Sequence, residues 1–108
     1  MIAPELEPAA VAAAMAAGEV SVVDVREPVE WRAGHIAGAL LIPLGEFADR
    51  VGELPSGPLA IVCRSGSRSS MAADWLHRTG VDASNMAGGM KAWLAAELPL
   101  EPADGRVA

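Results

Sequence analysis

Apolar residues in this 108-residue chain fall into short, mostly β-branched runs separated by longer stretches with helical spacing. The runs at 20–25 and 59–63 are almost uninterrupted by polar residues, which is typical of strands buried on both faces. Weaker strand signals lie around Leu6, at 39–42 and at 81–86. Asp82, Ser84 and Asn85 interrupt the apolar pattern of the last of these.

Helices are predicted between the strands, because prolines stand at expected first turns and glycines at expected ends. They cover residues 8–17, 28–33, 45–51, 67–79 and 90–97. Strands that alternate with helices favour parallel pairing with right-handed crossovers, which predicts a three-layer α/β/α sandwich. Residues 1–100 are expected to form one domain, and residues 101–108 a C-terminal tail that packs briefly and then frays.

The charge balance narrows the class of partner. A net charge of −6 and a pI near 4.7 argue against nucleic acid or an anionic membrane as the main partner. The alanine-rich segment 9–17 is about half as long as the ~20 residues that a membrane-spanning helix needs. No basic segment precedes it, so a cytoplasmic location is predicted.

Cys63 is the only cysteine, which excludes an internal disulfide, a C-x-x-C redox pair and a cysteine-rich zinc site. The two histidines, His35 and His77, fall in different predicted elements. The sequence therefore predicts neither a metal site nor a cofactor.

Two predicted strands end on residues with candidate chemistry, Asp24 and Cys63, and the working site of a parallel sheet lies at its carboxyl edge. A free thiol titrates near ~8.5, and its pKa falls beside a helix N-terminus and positive charges. Arg64 and Arg68 flank Cys63, and a helix is predicted to begin within the same loop. We therefore expect a thiolate nucleophile.

The loop after Cys63 has the composition of an anion site. Successive backbone N–H groups would form a nest for an anion, and Gly66 would allow a turn with positive φ. The short side chains of Ser65, Ser67 and Ser69 would donate to an oxyanion or cap the helix. In the plainer alternative, Cys63 is a small buried hydrophobe and the arginines are solvated surface charges.

Spacing separates two chemistries that suit such a loop, phosphoryl transfer and sulfur transfer. Cysteine-dependent phosphatases share a C-x5-R loop, whereas Arg68 makes this one C-x4-R and Ser69 stands where their arginine would be. A shorter loop forms a tighter cradle, which suits a terminal sulfur better than a phosphate.

Four motifs in order resemble the single-domain rhodaneses, over about residues 4–98. They are Asp24-Val25-Arg26-Glu27, the stretch from Gly34-His35-Ile36-Ala37-Gly38-Ala39 to Ile42-Pro43, Cys63-Arg64-Ser65-Gly66-Ser67-Arg68-Ser69, and Gly88-Gly89-Met90-Lys91-Ala92-Trp93. The resemblance implies a five-stranded parallel sheet in the order 1-5-4-2-3 and thiosulfate:cyanide-type sulfurtransferase activity.

The same resemblance implies a role for each matching residue. Cys63 matches the cysteine that accepts sulfur, and the residues after it match the loop whose amides cradle a persulfide. Asp24 and Arg26 are interpreted as a structural pair, and His35 as a hydrogen-bonding brace for its loop.

The implied reaction is a double displacement with a small anionic donor such as thiosulfate. Because no second cysteine exists to resolve a Cys63 persulfide, the acceptor would be cyanide, an external thiol or a sulfur-carrier protein. Two alternatives stay open: a non-catalytic module that senses a persulfide or binds a partner, and a cysteine-dependent phosphatase or arsenate reductase.

Overall fold

A five-stranded parallel sheet forms the centre of the computed structural model, which describes residues 2–108. Its strands are β1 (Glu5–Leu6), β2 (Ser21–Asp24), β3 (Leu40–Leu41), β4 (Leu59–Val62) and β5 (Ala83–Met86). The strand order is β1-β5-β4-β2-β3, and every neighbouring pair is parallel. The predicted α/β fold and strand order are confirmed.

Helices cover both faces of this sheet, and each face has its own apolar cluster. They are α1 (Pro8–Ala16), α2 (Pro28–Ala33), α3 (Leu44–Phe47), α4 (Ser67–Arg78) and α5 (Gly89–Ala95). One cluster joins the sheet to α3 and α4 through Phe47, Ala72 and Leu76. The other joins it to α1 and α5, which makes the expected three layers.

Two helices differ from their predicted form. The third helix is α-helical only over Leu44–Phe47 and continues as a 3-10 helix over Ala48–Glu53. In α4, the residues that face the core are Ser69, Ala72, Ala73 and Leu76, whereas Met71 is 65% exposed. Ser69 is expected from the sequence to donate to an oxyanion or to cap the helix, whereas its side chain lies on the buried face of α4.

The tail beyond Leu100 does not fray, which corrects that expectation. His35 and Glu101 exchange two backbone hydrogen bonds of 3.1 and 2.8 Å as an antiparallel bridge. The Arg106 N–H then donates to the Ala33 carbonyl at 2.8 Å, and Val107 packs on the α1–α5 side of the core. A domain boundary at residue 100 remains a prediction.

Among residues 2–108, no helix is both long enough and apolar enough to cross a membrane.

Candidate active site

The ends of β2 and β4 lie side by side, which brings Asp24 and Cys63, the two strand ends with candidate chemistry, together. Asp24 pairs with Val62 in the parallel register, and the Val25 N–H donates to the Val62 carbonyl at 2.9 Å. Cys63 follows Val62 directly, at the carboxyl edge of the sheet. The residue is 1% exposed.

Hydrogen bonds from the loop converge on the Cys63 sulfur. The Gly66 N–H donates to Sγ at 3.0 Å, and the Ser69 hydroxyl lies 3.2 Å from it. Burial raises the pKa of the Cys63 thiol, but hydrogen bonds from the Ser69 hydroxyl and from the N–H groups of Ser69, Gly66 and Ser65 outweigh burial. The pKa of Cys63 therefore lies below its usual value, and the arrangement favours a thiolate.

The turn into α4 depends on Gly66, whose φ is +104°. This left-handed conformation directs the Gly66 N–H to the sulfur at little conformational cost. Gly66 is also the N-cap of α4, and no side chain caps the helix. The expectation that a serine would cap it is therefore wrong; the side chains of Ser65 and Ser67 are exposed.

The first residues of α5 form hydrogen bonds with the loop backbone on the side away from the sulfur. The N–H groups of Met90 and Lys91 donate to the carbonyls of Cys63 and Arg64 at 2.8 and 3.0 Å. A Cβ at Gly89 would lie 2.5 Å from the Cys63 carbonyl oxygen, so only glycine allows this approach. With its carbonyls bound behind, the loop presents its N–H groups to the sulfur.

The arginines of the loop are engaged elsewhere than at the sulfur. Arg68 forms a bidentate ion pair with Glu30 of α2, in which Nη1 and Nη2 each lie 2.8 Å from a carboxylate oxygen. The hydrogen bond from Arg68 lowers the pKa of Glu30 to about 2, and Glu30 also accepts the Glu27 N–H at 2.9 Å. Arg64 is exposed, and its Nε donates to the Ala108 carbonyl at 3.0 Å. The sequence indicated the helix N-terminus and the two arginines as the groups that lower the thiol pKa; in the structure, hydrogen bonds from the loop lower it.

Asp24 and Arg26 form a buried ion pair beside the loop. Both side chains are 0% exposed, and Arg26 Nη2 lies 2.8 Å from Asp24 Oδ2. Asp24 Oδ1 also accepts the backbone N–H of Arg26 at 3.0 Å. Arg26 Nη2 donates further to the Gly34 carbonyl at 2.8 Å, so the pair ties the end of β2 to the end of α2.

His35 lies against α2 and the tail. Its ring stacks on Trp31 at 3.7 Å between centroids, and Nδ1 lies 2.8 Å from the Trp31 carbonyl oxygen. Its backbone pairs with Glu101. These contacts brace the segment between α2 and β3.

Sequence reasoning missed two groups that touch the loop. Glu30 holds Arg68, whereas its place in the first turn of α2 by itself signals only a charge that suits the helix dipole. Asn85 of β5 is 4% exposed, and its amide contacts both Ser69 and the Gly66 carbonyl. The available signal was a polar residue within a buried strand, which had only weakened the strand prediction. Among residues 2–108, no group of three or more potential ligand side chains could hold a metal ion.

Comparison with known proteins gives one family. A family model described as a rhodanese-like domain matches residues 7–96. A rhodanese-related protein from Thermoplasma volcanium has the same fold, with a TM-score of 0.84 and 28% identity over 90% of this chain and 96% of that one.

Curated relatives carry different names. A sulfurtransferase of Allochromatium vinosum is 36% identical over 89 residues, which are 81% of this chain and 83% of that protein. A putative sulfur carrier protein of Bacillus subtilis is 40% identical, over 68% of this chain and 41% of that protein. An HTH-type transcriptional regulator of Mycobacterium tuberculosis is 39% identical, over 79% of this chain and 39% of that protein. The chain thus spans less than half the length of the last two.

Proposed function

Because this chain belongs to the rhodanese-like domain family, we propose that it is a sulfurtransferase that carries sulfane sulfur on Cys63. The observation that carries the proposal is that the Gly66 N–H and the Ser69 hydroxyl converge on the buried Cys63 thiol. Burial raises the pKa of this thiol, but the hydrogen bonds lower it by more, so the pKa lies below its usual value. Relatives named as a sulfurtransferase and as a putative sulfur carrier support sulfur transfer as the general activity.

The first half-reaction would form a persulfide. The Cys63 thiolate attacks the outer sulfur of thiosulfate or a similar donor, and the bond between the two donor sulfurs breaks. Sulfite leaves with the electron pair, and the negative charge passes to the new terminal sulfur. The loop N–H groups and the N-terminus of α4 stabilise that charge at each stage.

The second half-reaction requires an acceptor from outside the chain. Cys63 is the only cysteine, so no second thiol of this chain can take the sulfur. Cyanide in an assay, or an external thiol or sulfur-carrier protein, would attack the terminal sulfur and restore the thiolate. The reaction needs a free thiol, which favours a reducing compartment and supports the proposed cytoplasmic location.

Intact-mass spectrometry after incubation with thiosulfate tests the proposal. We expect the protein to gain one sulfur atom, sulfite to appear in equal amount, and cyanide to remove the sulfur as thiocyanate. The Cys63→Ser and Cys63→Ala variants should show none of these changes. A wild-type protein that gains no sulfur, or a variant that releases sulfite as fast as wild type, would refute the proposal.

A persulfide-sensing module is a second candidate, because a relative is a transcriptional regulator. In addition, Arg68 is already paired with Glu30 and is therefore less available to bind an anionic sulfur donor. A sensing module predicts that the Cys63 persulfide forms once, and that transfer of its outer sulfur to cyanide or a thiol is far slower than its formation. Comparing the rate of loading with the rate of steady turnover separates this module from an enzyme.

A further inference from the structure

A buried row of side-chain hydrogen bonds connects the thiol to the edge of the sheet. Ser69 Oγ lies 3.2 Å from Cys63 Sγ and 2.5 Å from Asn85 Oδ1. The Asn85 amide nitrogen donates to the Glu5 carboxylate at 2.9 Å and to the Gly66 carbonyl at 3.2 Å. Ser69 is 0% and Asn85 4% exposed, so water does not readily replace these partners.

The orientation of the Asn85 amide is determined by its neighbours. Both groups that face Nδ2, the Glu5 carboxylate and the Gly66 carbonyl, present oxygen atoms that accept hydrogen bonds. A flipped amide would place Oδ1 against these oxygens and Nδ2 against Ser69. Oδ1 therefore points to Ser69 and requires a donor there.

The Ser69 hydroxyl has one proton and two neighbours that compete for it. When the proton goes to Asn85 Oδ1, the Ser69 oxygen presents a lone pair to the sulfur. This arrangement suits a neutral thiol, which donates its own S–H. A thiolate instead requires the hydroxyl proton, and donating it leaves Oδ1 of Asn85 buried without a donor.

We propose that Asn85 is a positioning residue that holds the Ser69 hydroxyl proton away from Cys63 Sγ except when Sγ is negatively charged. The hydroxyl then acts as a switch whose position follows the charge on the sulfur. The part of this inference that concerns the persulfide rests on the proposed function, whereas the part that concerns the thiol does not.

Sulfur transfer changes the charge on Sγ. When the Cys63 thiolate takes the outer sulfur of thiosulfate, an Sγ–S bond forms, sulfite departs with the electrons of the broken S–S bond, and the negative charge moves to the terminal sulfur. Sγ is then an uncharged bridging atom, and the Ser69 proton returns to Asn85. Asn85 therefore favours the persulfide over the free thiolate.

Several charged groups lie around the loop and also influence the charge on Cys63 Sγ. Arg68 of α4 is paired with Glu30 of α2, and Asp24 of β2 is paired with Arg26. Arg64 lies in the loop itself, and Glu5 of β1 closes the far end of the row. Among these charged groups, the Asn85 side chain forms hydrogen bonds with Glu5 alone.

The pH dependence of Cys63 alkylation by iodoacetamide, an uncharged reagent, tests the switch in the absence of any sulfur donor. In Asn85→Leu, the hydroxyl has no competing acceptor, and we expect the thiol pKa to fall by about one pH unit. In Ser69→Ala it should rise. Adding Asn85→Leu to Ser69→Ala should then cause no further shift, because the switch is already absent.

Ser84→Ala is the matched control, since Ser84 lies on the same strand and points to the opposite face. It should leave the profile unchanged, and Asn85→Ala should repeat the result of Asn85→Leu if the larger side chain does not fold. An unchanged or raised thiol pKa in the Asn85 variants, or an equal shift with and without Ser69, would overturn the proposal.

The persulfide itself provides the second measurement. The measurement uses a fixed ratio of thiosulfate to sulfite and a pH above the Cys63 pKa of both wild type and Asn85→Leu. Under these conditions, intact mass should show a persulfide-to-thiol ratio that is several-fold lower in Asn85→Leu than in wild type. An equal or higher ratio would contradict the inference. If wild type takes up no sulfur at all, the proposed function fails, while the alkylation profiles still decide whether Asn85 controls the hydroxyl.

Discussion

At the scale of single residues, burial separates the ion pairs of this protein into two kinds. Asp24 and Arg26 are both fully buried and satisfy each other and the neighbouring backbone. Arg50 instead joins Glu46 and Glu53 on the surface, where solvent screens the charges. We therefore expect the fold to depend on the first pair and hardly at all on the second.

Arg26→Leu should lower the free energy of unfolding by about 3–5 kcal/mol, because the Asp24 carboxylate would stay buried without its partner. Denaturant unfolding measures this loss. Arg50→Leu is the control and should leave the midpoint close to wild type. Replacing Asp24 and Arg26 together by leucine should restore part of the loss, since no buried charge remains. A single Arg26→Leu variant as stable as the Arg50 variant would contradict this account.

The pair of Glu30 and Arg68 should make stability depend on acid. The hydrogen bond from Arg68 lowers the pKa of Glu30 from 4.5 to about 2 in the folded protein. A carboxyl whose pKa is lower when folded contributes stability above its unfolded pKa, and that contribution disappears as the pH falls from about 4.5 to about 2. For this partly exposed pair, the contribution is about 1–2 kcal/mol after solvent screening.

Glu30→Gln removes that titration. Wild type should therefore lose more stability than the variant between pH 5 and pH 2.5 in denaturant unfolding, and the two curves should converge at the acid end. Equal slopes over this range would show that the pair does not stabilise the fold.

At the scale of elements, the N-terminus of α5 shapes the loop without touching the sulfur. Its first N–H groups bind the carbonyls of Cys63 and Arg64, and this requires the backbone of Gly89 to lie against the loop. In the sequence, Gly88-Gly89 before Met90 is only a turn signal. It gave no indication that the turn packs on the loop, because that contact joins segments about 25 residues apart in the chain.

Gly89→Ala should reduce sulfite release from thiosulfate by about 10–100-fold, since a Cβ 2.5 Å from the Cys63 carbonyl forces α5 and the loop apart. A positive φ of +62° adds strain for alanine. Gly45→Ala is the control, because a Cβ there meets nothing within 4 Å. Steady-state assays of both variants, with circular dichroism to check folding, give the comparison. Equal activity in the two variants would refute the role assigned to α5.

Prediction of the elements succeeded where one pattern dominated a segment. The β-branched runs at 20–25 and 59–63 gave β2 and β4, and the proline and glycine limits of α2 were right at both ends. It failed where tertiary contacts decide the conformation. The third helix tightens into a 3-10 helix over Ala48–Glu53. The strand that contains Asn85 was predicted correctly, but the sequence did not indicate that Asn85 contacts Ser69 and Gly66.

At the scale of the whole molecule, the last residues are part of the packed structure. Trp93 Nε1 donates to the Pro99 carbonyl at 2.8 Å, and Leu98, Leu100 and Val107 pack on the α1–α5 side of the core. The tail then pairs with His35 and Ala33. Composition alone predicted a frayed end because proline and glycine are common there, and it could not reveal which distant backbone groups would accept these hydrogen bonds.

A chain that ends at Leu100 should still fold, because every strand and both apolar clusters lie almost wholly within residues 2–100. It should lose about 1–3 kcal/mol of unfolding free energy, since the bonds to His35 and Ala33 and the packing of Val107 disappear. Full-length Glu101→Ala keeps the tail backbone and should match wild type in the same denaturant unfolding. A truncated chain as stable as wild type would mean that the tail contacts contribute no stability. A truncated chain without cooperative unfolding would instead show that residues 1–100 are not a complete domain.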